Sequence, residues 1–197
     1  YVPQGIYWAG PEHRSQRNRV AWMFPGQGSQ YPGMLQSLVA QDPAARTDLD
    51  RVNGILQSKG GPSFEQIAWG ASSLGDDFWQ TQVAMLIGNW LVAQHLHRAG
   101  AIPDTVVGHS FGEFSALLEA KSWTLEHAME ATWQRCQALE AQAPVGLLML
   151  GVQADAATVT RLLASNSEQV FVSHRNAPEQ TVIGGRRASV IDASQVL

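Results

Sequence analysis

The chain has 197 residues, 45% apolar and 15% charged, which is enough to bury one good core, so one large domain or one plus a small satellite is expected. Thirteen Lys and Arg against seventeen Asp and Glu leave a formal charge of -4, and no basic block exceeds a pair, which argues against nucleic acid or an anionic membrane as partner. A single cysteine, Cys136, excludes an internal disulfide and Cys-based metal motifs and fits a reducing, cytoplasmic setting.

Residues 1–19 mix Pro, Gly and charge without periodicity and read as a linker or arm. VAWMF, 20–24, is a short apolar run ended by PGQGSQYPG, the pattern of a buried parallel strand feeding a loop and then a helix. Helical patterning follows over 34–59, broken at Asp42-Pro43, and again over 63–69. From 79 to 99, Val83, Leu86, Ile87, Trp90 and Leu91 recur at helical spacing until Gly100 stops the run. Gly88, Asn89, Gln94 and His95 interrupt its apolar stretch, so it reads as an interior helix and not a membrane span. TVVGHS is then a strand entering a tight turn, with helices expected over 111–120 and 125–142, the second capped by Thr124. Strand, long helix, strand, helix is an α/β signature, assigned to 20–144.

From Val145 the rhythm changes. GLLMLGV is a strand, 155–165 a helix, QVFVS a strand, NAPEQ a turn, TVIGG a strand and ASVIDASQVL the start of a helix. This β-α-β-β-α order over 145–197 is that of a ferredoxin-like βαββαβ unit without its last strand. A chain that begins at Tyr1 and stops inside such a unit is expected to be part of something longer.

GHSFGE, 108–113, joins the second strand to its helix. A Gly-x-Ser-x-Gly bend there exposes the serine oxygen, its glycines remove steric obstruction, and the next backbone N–H can donate to an oxyanion. Those roles fall on Ser110, on Gly108 and Gly112, and on Phe111. An ordinary serine helix cap would satisfy the same pattern, and the bend alone does not separate a hydrolase from a transferase. PGQGSQYPG lacks the Gly-Lys-Ser/Thr ending of a phosphate loop, so nucleotide binding has no motif behind it.

Four further features accompany the bend: FPGQGSQYPGM at the first strand, WQTQ at 79–82, Arg135 at its spacing downstream of Ser110, and NAPEQTVIGG at 176–185. Together they resemble the malonyl-CoA:acyl-carrier-protein acyltransferase family, which includes the acyltransferase domains of fatty acid and polyketide synthases. The resemblance runs from about Val20 to the last residue. It implies a parallel-sheet, α/β-hydrolase-like acyltransferase core with an incomplete ferredoxin-like small subdomain. It implies that Ser110 attacks the thioester of malonyl-CoA or a related carboxyacyl-CoA, and that the phosphopantetheine thiol of an acyl carrier protein later takes the acyl group from the serine ester. No metal and no tightly bound cofactor is implied, since the partner carries the phosphopantetheine.

The resemblance also distributes roles. Gln27 contributes a backbone N–H to the oxyanion hole beside that of Phe111. Arg135 grips the free carboxylate of the acyl group through two parallel hydrogen bonds that a lysine cannot reproduce. Gln82, His109, His174 and Asn176 are the further substrate-pocket candidates, with Gln82 equally readable as a plain polar residue at a helix start.

The base is harder to find. His109 adjoins Ser110, but consecutive residues of the bend point differently, so it is expected to pack or hydrogen-bond behind the bend. His95 and His97, two apart on a helix, face different ways and form no metal pair. His127 and His13 are expected to be exposed, and only His174 stands near a family motif. In the family the base follows the completed small subdomain, so the 197-residue chain is expected to turn malonyl-CoA over poorly, forfeiting about 10²- to 10⁴-fold of rate. The remaining segment of the same domain or adjacent synthase domains are its expected neighbours. A serine hydrolase or thioesterase, and a non-catalytic scaffold piece of a synthase, stay open as rivals. Malonyl is the default acyl unit, and the sequence does not choose between fatty acid and polyketide pathways.

Overall fold

The computed structural model describes residues 19–70, 74, 77–142, 146–165 and 169–197; apart from Arg19, the arm read over 1–19 lies outside the described residues, as does His13. The chain divides into two compact units, one ending at Leu139 and the other running from Glu140 to Leu197.

In the first unit, β1 (Ala21–Phe24) pairs in parallel with β2 (Thr105–Gly108), which sets Phe24 opposite Gly108. Parallel neighbours need a long crossover. Here it holds α1 (Gln36–Gln41), α2 (Pro43–Ser58), α3 (Phe64–Ala68) and α4 (Phe78–Arg98). The helix starts have local causes. Asp42 is extended and accepts the Ala44 N–H, while Pro43 takes the first helical position, where no N–H is needed; together they separate α1 from α2. Ser63 and Gln66 form a capping box on α3, and Asp77 caps α4 through the Gln80 N–H.

The core is organised around α4, which is buried without a break from Thr81 to Gly88. Its Val83, Leu86, Ile87 and Leu91 share one cluster with Leu49, Val52, Leu56, Phe64, Ile67 and Met129. Each such side chain contributes roughly 1.5–3 kcal/mol on burial. After β2 come α5 (Gly112–Glu119) and α6 (Leu125–Gln142), and Thr124 accepts the His127 N–H at the head of α6, as the sequence predicts. No helix among the described residues is long and apolar enough to cross a membrane.

The second unit holds β3 (Leu147–Val152), α7 (Ala156–Leu162), β4 (Val170–Ala177), β5 (Gln180–Arg186) and α8 (Arg187–Ala193). Its strands form an antiparallel sheet in the order β3-β5-β4. Pleat alternation directs Leu148, Leu150, Val170, Val172 and Ile183 to a face covered by Val159 of α7 and by Val190 and Ala193 of α8. Leu147, Met149 and Phe171 are exposed. Gly184 has no side chain, and the edge of the Phe171 ring lies 3.7 Å from where its Cβ would stand.

Two expectations are corrected here. The turn read over NAPEQ is shorter, because Asn176 and Ala177 still belong to β4 and Gln180 already to β5, leaving Pro178 and Glu179 between the strands. β4 is accordingly longer than QVFVS; register shifts between Val172 and His174 and between Arg175 and Ala177 break the alternation by which a strand is recognised. The helix read over 155–165 is α-helical to Leu162, then tightens into a 3-10 helix over Leu163–Ser165, a common way for a helix to end.

Candidate active site

The bend between β2 and α5 is tight enough to dictate its own sequence. Ser110 has φ +54°, a left-handed conformation that costs an L-residue about 1–2 kcal/mol. The surrounding backbone holds it there: the His109 N–H donates to the Phe24 carbonyl (3.0 Å), the Gly112 N–H to the His109 carbonyl (2.9 Å), and the Glu113 N–H to the Ser110 carbonyl (3.1 Å). Both flanking glycines are sterically required. A Cβ on Gly108 would lie 2.4 Å from the Glu113 backbone, and one on Gly112 would lie 2.0 Å from the Phe24 carbonyl oxygen. The serine itself is exposed at the start of α5.

The loop after β1 comes up against this bend because β1 and β2 are parallel neighbours and their carboxyl ends lie side by side. A Cβ on Gly26 would stand 2.6 Å from the His109 carbonyl oxygen and 3.0 Å from the Ser110 Cβ, so the loop passes Ser110 at backbone distance. Gln27 follows immediately. Neither its N–H nor that of Phe111 donates to a described residue. Gly28 has φ +111° and donates its N–H to the Gln30 side chain (2.8 Å), and the Ser29 hydroxyl donates to the Gly26 carbonyl (3.1 Å), which fixes the loop's shape.

Arg135, on α6, joins the same group. Its Nη1 donates to Gln82 Oε1 (3.1 Å), and Gln82 Nε2 donates to Gln27 Oε1 (2.8 Å). Arginine can only donate, so the buried Gln82 amide must turn its oxygen toward Arg135 and its NH₂ toward Gln27. The guanidinium carbon also lies over the rings of Phe78 (5.7 Å) and Phe111 (5.8 Å). Phe111 is buried and stacked on Phe114, and Trp79 packs edge-to-face on Trp133, tying the start of α4 to α6. Arg135 is half-buried and has no acidic partner among the described residues. Ser110, Phe111, Gln27, Gln82 and Arg135 are therefore brought together.

Among the described histidines of the first unit, none bonds the Ser110 hydroxyl. His109, expected behind the bend, is exposed, with its N–H bonded to Phe24 and its carbonyl bonded within the turn. His95 pairs with Asp42 (2.8 Å) and His97 with Glu119 (2.7 Å), on different faces of α4 as expected. His127 is exposed near the start of α6. His174 and Asn176 lie on β4 in the second unit, both exposed, with the His174 ring 3.0 Å from the Ser173 hydroxyl. Phe78 was not among the site residues expected from sequence; its one signal is a place four residues before Gln82, on the same helical face.

The family model of the acyl transferase domain matches residues 21–197. The chain belongs to that family. Among its relatives, the malonyl CoA-acyl carrier protein transacylase of Bacillus subtilis (strain 168) is 31% identical over 184 residues, covering 91% of this chain and 57% of that protein. The non-reducing polyketide synthase 1 of Elsinoe fawcettii is 32% identical over 184 residues, covering 91% of this chain and 8% of that synthase. Among solved structures, the acyl-carrier-protein S-malonyltransferase of Burkholderia pseudomallei 1710b matches with a TM-score of 0.80 and 32% identity, over 91% of this chain and 59% of that one. A malonyl-transacylase in complex with its type II polyketide synthase acyl-carrier protein matches with a TM-score of 0.81 and 27% identity, over 91% and 59%. The chain thus spans somewhat over half the length of the transacylases it matches.

Proposed function

We propose that this chain carries the nucleophile, oxyanion donors and carboxylate-binding group of an enzyme that moves a malonyl-type acyl group from coenzyme A to the phosphopantetheine thiol of an acyl carrier protein. One observation carries the reading: a half-buried guanidinium without an acidic partner among the described residues is held over the ring of the residue that follows the strained serine. A buried cation left unpaired is costly. A substrate carboxylate, bound bidentately, supplies its counter-charge and leaves the thioester carbonyl at the other end of the acyl group toward Ser110.

In this reading the Ser110 oxygen attacks the thioester carbon, the negative charge that develops on the carbonyl oxygen is met by the N–H groups of Gln27 and Phe111, and the coenzyme A thiol departs. The pantetheine thiol of the carrier protein then attacks the serine ester by the same route. The base that takes the Ser110 proton is, on the family resemblance, a histidine following the small subdomain. The first unit is read as an α/β-hydrolase-like core, supported by the parallel β1-β2 pair and the bend. The second is read as a ferredoxin-like βαββα unit, supported by the order β3-β5-β4 and by helices on one face. A cytoplasmic synthase component fits this activity.

The test is to incubate the full-length protein with malonyl-CoA and then with a phosphopantetheinylated carrier protein, following both by intact mass. Transient malonyl ester on Ser110 and malonyl thioester on the carrier are expected. Free malonate with an unloaded carrier would make it a hydrolase, and no adduct at any time a scaffold.

A further inference from the structure

Phe78 and Gln82 stand four residues apart on α4 and meet the same guanidinium, one with its ring and the other with its amide oxygen. Phe78 belongs to none of the stretches by which the family is recognised here, and its position as the first residue of α4 is set by the Asp77 cap. The second ring over Arg135 is that of Phe111, which Phe114 holds in place from behind. A guanidinium within about 6 Å of a ring centroid is attracted by the negative face of the ring, and more strongly when water is displaced from around it.

We propose that Phe78 is a positioning residue for Arg135 and thereby sets the preference for acyl groups that end in a carboxylate. This deepens the carboxyacyl reading above and rests on it. A carboxylate is bonded through the guanidinium N–H groups, whereas a ring attracts the cation's charge through its negative face. The guanidinium carbon stands 5.7 Å from the Phe78 ring centroid and 5.8 Å from that of Phe111, and Gln82 accepts from one N–H, so three contacts fix the direction in which the other N–H groups are offered. Without the Phe78 ring the arginine keeps its charge but loses its fixed direction. A bidentate bond suffers from that loss, while a neutral acyl group, which never touches the guanidinium, does not.

The experiment measures acylation of Ser110 in the full-length protein over a range of malonyl-CoA and, separately, acetyl-CoA concentrations. Phe78→Leu keeps apolar bulk and removes the ring. It should raise the malonyl-CoA concentration for half-maximal acylation about tenfold, with the maximal rate within about twofold and acetyl-CoA acylation unchanged. Phe78→Tyr should restore the wild-type value. A series of fluorinated phenylalanines at this position keeps the shape and drains the ring face of charge, so half-saturation should rise with each added fluorine. The proposal is overturned if Phe78→Leu and the fluorinated series leave malonyl half-saturation unchanged, or if acetyl acylation falls in parallel, which would mark Phe78 as general support for the fold. A wild-type protein that takes acetyl-CoA and malonyl-CoA equally well would instead overturn the carboxyacyl reading, and this proposal with it.

Discussion

Gly112 sits so close to Phe24 that a Cβ on the glycine would lie 2.0 Å from the Phe24 carbonyl oxygen. Contact of two backbones, with no side chain between them, is what presses the loop after β1 against the bend that carries Ser110. Gly112→Ala should therefore force β1 and α5 apart. A loss of about 1–3 kcal/mol or more is expected in urea unfolding, because overpacking here meets backbone that cannot rotate away. Ser110 acylation should fall further than stability alone explains. A variant as stable as wild type would show that the two backbones separate easily.

Gln27 has two separable jobs. Its side-chain oxygen satisfies the buried Gln82 amide, and its backbone N–H is assigned to the oxyanion hole. Gln27→Ala removes only the first, so stability should drop by about 1–3 kcal/mol for a buried donor left without a partner. Acylation at saturating donor should then stay within about tenfold. Gln27→Pro removes the N–H itself and should cost about 10²- to 10³-fold in acylation rate. Equal losses for the two variants, measured by rapid-quench acylation, would reverse this assignment.

Away from the site, Asp42 is the N-cap of α2 and the meeting point of His95 and Arg98, with Arg98 also reaching Asp48 at 2.6 Å. The hydrogen bond from His95, helped by the Ala44 and Ala45 N–H groups and by Arg98, holds its carboxyl at about 2 against an ordinary 3.8. A value lowered by folding means stability that is complete above the unfolded value and lost as pH falls through the folded one. The stability gap between wild type and Asp42→Asn is thus expected to close as pH drops from about 4 to about 2, followed by urea unfolding at each pH. His95→Ala should move that loss to higher pH. A gap that stays constant down to pH 2 would mean that the carboxylate contributes nothing through its charge.

Much of the first unit was legible because its signals are local. Val83, Leu86, Ile87 and Leu91 mark α4 by period alone, Asp42-Pro43 marks the break between α1 and α2, and the glycines around Ser110 are each demanded by a backbone contact. β4 was harder, since two register shifts erase the alternation of its second half and extend the strand into what reads as a turn. His109, expected behind the bend, is exposed, because which way its ring leaves the bend is set by the three-dimensional turn and not by the local residue pattern. Phe78 had only its place one turn before Gln82 as a signal, and only the arrival of Arg135 from α6 gives its ring a charge to hold.

The central claim is that Arg135 selects the acyl group that Ser110 receives. Its most direct test is intact-mass quantification of Ser110 acylation in the full-length protein, wild type and Arg135→Ala, with malonyl-CoA and acetyl-CoA in parallel. Wild type should acquire a malonyl ester on Ser110, and Arg135→Ala should load malonyl about 30-fold or more slowly while acetyl loading persists. Arg135→Ala loading malonyl as fast as wild type, or an adduct on any residue other than Ser110, would contradict the account.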